Sequence, residues 1–456
     1  MKFCKKAVLI AVLLGILVLI YVGFAFGGVS PEEAAKLGTT LTGVGAEMAG
    51  NKDGTIPAYT GGLTKPPVNF KPGSGVRPDP YAEEKPLFSI NAQNMAQYAD
   101  KLTEGAKILL KRFPAYRIDV YRTHRTAAYP DYVLKNTAKN AVTARTINGG
   151  LTLRGAHAGV PFPIPKDGYE VMWNHLVRYQ GRANDSNFYN SMVDASGRYI
   201  LSANGVMKEE FPYYDEDKTA FASGIFFKLK IVYANPPRKN GEALLIMDYI
   251  DMTEKPRIVY QYLPGQRRTK LAPEIAFDTP DPSAGGTETC DDNYLFNGSM
   301  ERFNFKLIGK REVFIPYNTY KATYQTNRED LFGPKHLNPD VIRWELHRVW
   351  VVEATIKPGK RHIYHKQRYY FDEDSWIAQA TEKYDAHGNL FKVGFAHQAP
   401  SYDEPAPSAG LVASHNLFAG TYVVLTWPGP SGYFRPVKPT PDREWTPQAI
   451  SGGGIR

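Results

Sequence analysis

The sequence predicts an α+β protein built on one long, curved antiparallel β-sheet, a half-open barrel with helices packed on or in its concave side. Three observations lead there. From residue 199 onward, β-rich runs follow one another, bounded by Gly, Pro, Asn or Asp. The connections within 345–396 are short, which makes neighbouring strands antiparallel. Helical periodicity is confined to the chain before Gly181, so helices and strands are segregated along the sequence.

The chain begins with a positive stretch, Lys2, Lys5 and Lys6, then an unbroken apolar run from Ala7 to Phe26 that closes on small residues (Gly23, Ala25, Gly27, Gly28). That is the three-part pattern of a secretory signal. The run exceeds the usual apolar core of about 7–15 residues and approaches the ~20 that span a bilayer, so an uncleaved anchor is the alternative for 1–27. Cys4 precedes the apolar run and is no acylation site. With the signal removed, Cys290 is left alone; no intrachain disulfide is available, and packing must hold the fold. At 13% aromatic and 43% hydrophobic residues the chain can bury a sizeable core. Three of its +9 net charges are the signal lysines, leaving +6. The basic clusters Lys111-Arg112, Gln266-Arg267-Arg268 and Lys310-Arg311 are short. Nucleic acid is excluded as a partner, and peripheral contact with anionic lipid is the most this charge supports.

Ser30-Pro31-Glu32-Glu33 starts a short helix: Ser caps, Pro takes the first helical position, and Glu33 closes a capping box. Residues 28–90, rich in Gly and Pro but anchored by Ile56, Tyr59, Leu63 and Phe70, read as an extended segment wrapping the body. Met95, Tyr98, Ala99, Leu102, Ala106, Leu109 and Leu110 form one apolar stripe, which predicts a helix over 91–113 ended by Pro114. A second helix is expected over 167–179. Strands are expected at 199–207, 226–234, 244–249 and 257–263, then a four-strand meander at 345–356, 361–371, 376–385 and 390–396. In the first meander strand Leu346, Trp350, Val352, Ala354 and Ile356 share a face. The half-barrel domain is thus placed at 91–400, and 401–456, with its Gly and Pro, as a surface-hugging tail.

A search for chemistry yields little. There is no Gly-x-Ser-x-Gly elbow, no phosphate loop and no His-Glu-x-x-His zinc signature. His362 and His365 would point to opposite faces of a strand and so not share a metal. Asp372, Glu373 and Asp374 read as a solvated hairpin turn lacking the Gly and periodic ligands of a calcium loop. No catalytic residue, metal or cofactor is expected. What the chain does carry is aromatic residues on strands: Tyr260 with Tyr262, Trp350 with Val352, and Trp376 with Ala378 and Ala380. They read either as packed core or as the lining of a cavity for a greasy ligand. Arg267, beside Arg268, reads as an ion-pair partner of Asp278 or Asp281, or as the anchor of an anionic head group. The candidate ligand-binding set is therefore Tyr260, Tyr262, Arg267, Trp350, Val352 and Trp376.

Several segments carry a resemblance: Pro264-Gly265-Gln266-Arg267-Arg268 with Ala272-Pro273, then Asp291-Asp292, Phe296-Asn297-Gly298, Lys306 to Lys310 and Pro316-Tyr317-Asn318. Leu346 to Ala354, Tyr370 to Trp376, Gly45-Ala46-Glu47, Ile56-Pro57-Ala58 and Trp173 to Leu176 belong with them. Together they resemble a proteobacterial family of unknown function whose members are commonly labelled outer-membrane lipoprotein-sorting proteins, distantly similar to the carrier LolA and its receptor LolB. The resemblance spans the chain after the signal. It implies a LolA/LolB-like half-open barrel lidded by helices and a periplasmic carrier of lipid-like molecules, associated with RND-type transporters and an outer-membrane barrel protein. It supplies no catalytic or binding residues. The function expected is a periplasmic carrier or binding protein for hydrophobic or amphiphilic molecules, not an enzyme. The alternatives are an envelope hydrolase for lipids or esters, and a non-binding assembly factor of an envelope transport complex.

Overall fold

The computed structural model describes residues 28–217, 223–275, 277–429 and 432–452. The segment 1–27, expected to be a signal or an anchor, lies outside them. Among the described residues, no helix is long and apolar enough to cross a membrane.

The fold is a 16-stranded sheet, antiparallel throughout apart from one parallel contact between Trp344 and Val120. Its first half runs from Phe303–Pro316 through Trp344–Ile356, Lys366–Asp372, Ala378–Tyr384, Leu390–Gln398 and Ala409–Asn416 to Thr421–Trp427. There it passes to the second half: Ala183–Val193, Tyr199–Glu210, Ile225–Asn235, Ala243–Tyr249, Ile258–Leu263 and Arg268–Leu271. Among the described residues, the end strands Phe303–Pro316 and Arg268–Leu271 do not pair with each other, so the sheet curves without closing and the half-open α+β class holds.

Alternation along the strands builds a core on each face. Val352, Ala354, Tyr369 and Phe371 join one, which contains helix Gly168–Leu176 through Val171, Met172, Trp173 and Leu176. Val349, Val351 and Tyr370 join the other, covered by Met95, Leu102, Ala106, Leu109 and Leu110. Both faces therefore carry helical segments. Leu346 departs from its expected face and packs with Val349 and Val351. Ala378 and Ala380, expected to share a face, lie in opposite cores. The reason is a bulge: Tyr370 pairs with Ala380 but Phe371 with Ala378, and the extra residue reverses the alternation.

The helix expected over 91–113 is broken into a 3-10 helix Met95–Lys101 and an α-helix Glu104–Arg112. Thr103 interrupts it because its hydroxyl caps the second piece, accepting from the Ala106 N–H. The short helix at Pro31–Ala34 keeps the capping box of Ser30 and Glu33. Helix Asp131–Thr143 has no counterpart among the expected elements.

The surface-hugging tail at 401–456 requires correction. Ala409–Asn416 and Thr421–Trp427 are inner strands that join the two halves of the sheet. Leu411, Val412, Val423, Val424 and Leu425 are fully buried from both faces, as suits strands covered on each side. Among the described residues after them, Phe434–Pro436 pairs with Ala183–Val193, and Trp445 and Ile450 cover Ala243, Leu245 and Tyr262.

Candidate functional site

The sheet's second half encloses a cavity of about 80 Å³. Its floor is largely apolar, with Phe188, Met207, Leu229, Ile231, Leu244 and Ile246 projecting from adjacent strands, and with Asn190, Arg257 and Gln261 on or beside those strands. Its roof is the segment 277–297, which contributes Asp281, Ser283, Cys290, Asn293 and Tyr294. Most of the floor thus favours hydrocarbon, while the roof and the polar floor residues offer hydrogen-bonding groups.

The roof makes an internal bridge between Pro280 and Thr289 and is fastened by side chains. Tyr294 donates to Glu209 Oε1 at 2.6 Å, and Asn190 donates to Ser283 at 3.1 Å. On its outer side lies a buried ionic latch. His362 Nε2 contacts Asp291 Oδ2 at 3.0 Å, and Tyr364 donates to Asp292 Oδ2 at 2.6 Å. Lys383 bonds Asp292, while Lys392 lies 3.4 Å from Glu288 and 3.5 Å from Asp292. Burial pushes the Glu288 carboxyl up to about 8, with Lys392 opposing and the Asp292 charge reinforcing the shift.

This latch has a pH signature. A carboxyl raised on folding stays protonated where the unfolded chain has already ionised, so its stabilising contribution is whole below the ordinary Glu range and is lost as pH rises toward about 8. The melting temperature of the wild-type protein should therefore fall between pH 5 and pH 8.5 more steeply than that of Glu288→Gln, which cannot ionise. Parallel melting profiles would refute this assignment.

None of the six residues expected to bind ligand lines this cavity. Tyr262 and Tyr260 pack beneath Trp445 and Ile450 on the opposite face. Arg267 is exposed in a left-handed turn with φ +47°; Asp278 pairs instead with Arg302 at 2.7 Å, and Asp281 caps Ser283. Val352 and Trp376 are buried in the first-half core, where Trp350 stacks on Trp376 with centroids 6.4 Å apart and the rings 11° from parallel. Helix Gly168–Leu176 fills the space these residues would otherwise surround. Of the lining residues that sequence reasoning missed, Met207, Leu229, Ile231, Leu244 and Ile246 belong to expected strands, and Phe188 to the unexpected strand Ala183–Val193. The roof was not visible, since 277–297 has no periodicity to mark it. Cys290 is buried, and its thiol is pushed up to about 12 chiefly by burial.

A second polar cluster lies in the first half. Asp372, Glu373 and Asp374 form the expected turn, but it is not solvated: each is at most 2% exposed. The segments 44–57 and 123–129 roof it. Trp376 donates to the Val44 carbonyl, Arg348 to Ala49 and Tyr129 to Asp374. Arg125 grips Asp374 with two hydrogen bonds of 2.6 and 2.8 Å. Glu345 accepts from Asn318 at 2.9 Å and pairs with Arg343 at 2.5 Å. His362 and His365 precede the strand Lys366–Asp372 instead of lying on it, and His362 is spent on Asp291.

A family model described as a protein of unknown function, DUF1329, matches residues 89–451. The chain belongs to the DUF1329 family. This DUF1329 protein is 40% identical over 405 residues to an uncharacterised protein of Pseudomonas aeruginosa, with 87% of this chain and 88% of the other covered. Similar solved structures include a Vibrio parahaemolyticus domain provisionally described as outer membrane lipoprotein-sorting, with TM-score 0.43, 15% identity, and coverage of 62% of this chain and 98% of that one. A LolA superfamily protein from Nitrosomonas europaea gives TM-score 0.35 and 11% identity, again covering 62% and 98%.

Proposed function

We propose that this DUF1329 protein is a periplasmic carrier or binding protein for hydrophobic or amphiphilic, lipid-like molecules, moving them between inner-membrane export machinery and the outer membrane. An RND-type transporter and an outer-membrane barrel are the partners this reading names. The observation that carries it is the cavity, largely apolar on the sheet and mostly polar on the roof, which suits the two ends of an amphiphile.

At about 80 Å³ the cavity has room for only a few waters, each of which takes up ~30 Å³ in the liquid. A lipid chain therefore enters only when the roof lifts. The roof suits that movement, because side-chain contacts and ion pairs fasten it where a strand would be held by a full ladder.

The test is native mass spectrometry of protein purified from the envelope, beside titration with a fluorescent fatty-acid probe. The wild-type protein should carry or take up lipid, and Leu229→Trp, which fills the floor, should weaken probe binding at least about tenfold. Overpacking of this kind costs about 1–3 kcal/mol, so the variant should remain folded. Absence of bound lipid together with no probe uptake would sink the carrier reading. Ester turnover that survives repurification would replace it with a hydrolase.

A further inference from the structure

We infer that His347, Asp372 and Asp374 form a site for a divalent transition-metal cation, zinc above all, buried in the first half of the sheet. This site lies apart from the proposed lipid cavity and does not depend on it.

Each of the three residues offers a ligand atom, and these atoms all lie within 4.8 Å of one another. The arrangement of hydrogen bonds says more than the proximity. Asp372 is fully buried, and its Oδ2 accepts from Ser375 at 2.6 Å and from Tyr317 at 3.2 Å, but its Oδ1 has no hydrogen-bond partner. Among the described residues no Lys or Arg lies within ion-pair distance of Asp372; the ring nitrogen that approaches it is His347 Nδ1, 3.8 Å from Oδ1. Nearby cations are engaged elsewhere: Arg125 on Asp374 and Glu373, Arg343 on Glu345 and Glu84, and Lys310 and Arg348 on Glu373 and Glu47.

The imidazole is set to complete the site. Its Nε2 faces Glu345 Oε2 at 3.2 Å, and Tyr317 stacks on the ring with centroids 3.9 Å apart. A neutral imidazole that donates from Nε2 to a carboxylate presents a lone pair at Nδ1. That is how proteins orient histidines toward metals. Nδ1 and Asp372 Oδ1 are then two acceptors facing each other across 3.8 Å, too far for a direct hydrogen bond. A cation at about 2.0–2.2 Å from each spans such a gap. Both Asp374 oxygens accept from Arg125, yet each keeps a second lone pair for a metal. Separations of up to 4.8 Å must close by as much as about 1.5 Å to reach tetrahedral spacing. A nitrogen and two carboxylates suit zinc better than the all-oxygen cages of calcium.

The experiment uses the mature chain, stripped with chelator, then exposed to Zn²⁺ both as folded protein and during refolding from denaturant, and desalted before metal analysis. Wild-type protein should retain one zinc per chain, melt at higher temperature when loaded, and give visible Co²⁺ bands of mixed nitrogen and oxygen coordination. His347→Gln and Asp372→Asn should each weaken retention at least about tenfold, while His362→Gln, in the separate latch, should leave it unchanged. The Co²⁺ spectrum of the wild type keeps the test alive should either variant fail to fold. Wild-type protein that retains no metal on either route would overturn the site, as would retention equal to wild type in both folded variants.

Discussion

Arg125→Met should destabilise this protein by about 3–5 kcal/mol, the cost of leaving one partner of a buried ion pair uncompensated. The guanidinium side chain is 2% exposed and holds Asp374 in a two-pronged grip, with Glu373 at 3.5 Å. Removing it strands Asp374 beside Asp372, in a pocket roofed by residues 44–57, while Glu373 keeps Lys310 and Arg348. Burial, and then the charge of Asp374, already push the Asp372 carboxyl up. Arg125→Lys keeps the charge but loses the fork and should fall between the two. Denaturant unfolding at neutral pH measures the effect. Adding Asp374→Asn to Arg125→Met should recover part of the loss, since the pair acts as a unit. A cost below about 1 kcal/mol, the level of an exposed pair, would show that the network is solvated.

Trp376→Ala should cost about 3–5 kcal/mol as well, through the void left by a fully buried indole. Its ring stacks on Trp350, and its Nε1 donates to the Val44 carbonyl at 3.1 Å, tying the N-terminal segment to the turn. The backbone adds a second signature. Trp376 has φ +59°, a left-handed conformation that strains any residue with a Cβ. Trp376→Gly opens a similar void but releases that strain, so it should be no less stable than Trp376→Ala, reversing the usual order of those two residues. Thermal unfolding of both variants decides the matter: a Gly variant clearly weaker than the Ala variant would deny the strain. Trp350, which is only partly buried and lies under the Lys310 ammonium at 4.7 Å, should tolerate truncation better than its partner.

Much of the sheet was legible from local pattern. The meander from Trp344 to Gln398 agrees with its expected boundaries to within a few residues except at Lys366, because each hairpin is closed by turn residues such as Pro358-Gly359 and Gly388-Asn389. Ser30 was readable as a cap because a capping residue acts within one turn of itself, and the helix expected from Asp167 does start there, with Asp167 as its cap. The strands at Ala409–Asn416 and Thr421–Trp427 were legible in principle, with Leu411-Val412 and Tyr422 to Leu425 as apolar runs. The Gly- and Pro-rich stretch after them masked the signal. The longest strand, Phe303–Pro316, gave less to read: its outward residues Asn304, Lys306 and Ile308 are mixed in polarity, and a bulge between Leu307 and Gly309 breaks the alternation.

The sequence by itself determined the α+β class, the antiparallel meander and the family, because these follow from side-chain period, turn chemistry and shared motifs, all local properties. Only the tertiary structure decided which surfaces face each other. It placed residues 277–297 over the apolar floor of the second half, and residues 44–57 over the carboxylates of the 372–374 turn. Whether a carboxylate is solvated or buried depends on the segment that covers it, and the chain that covers Asp372 lies more than three hundred residues before it, beyond the reach of any periodicity.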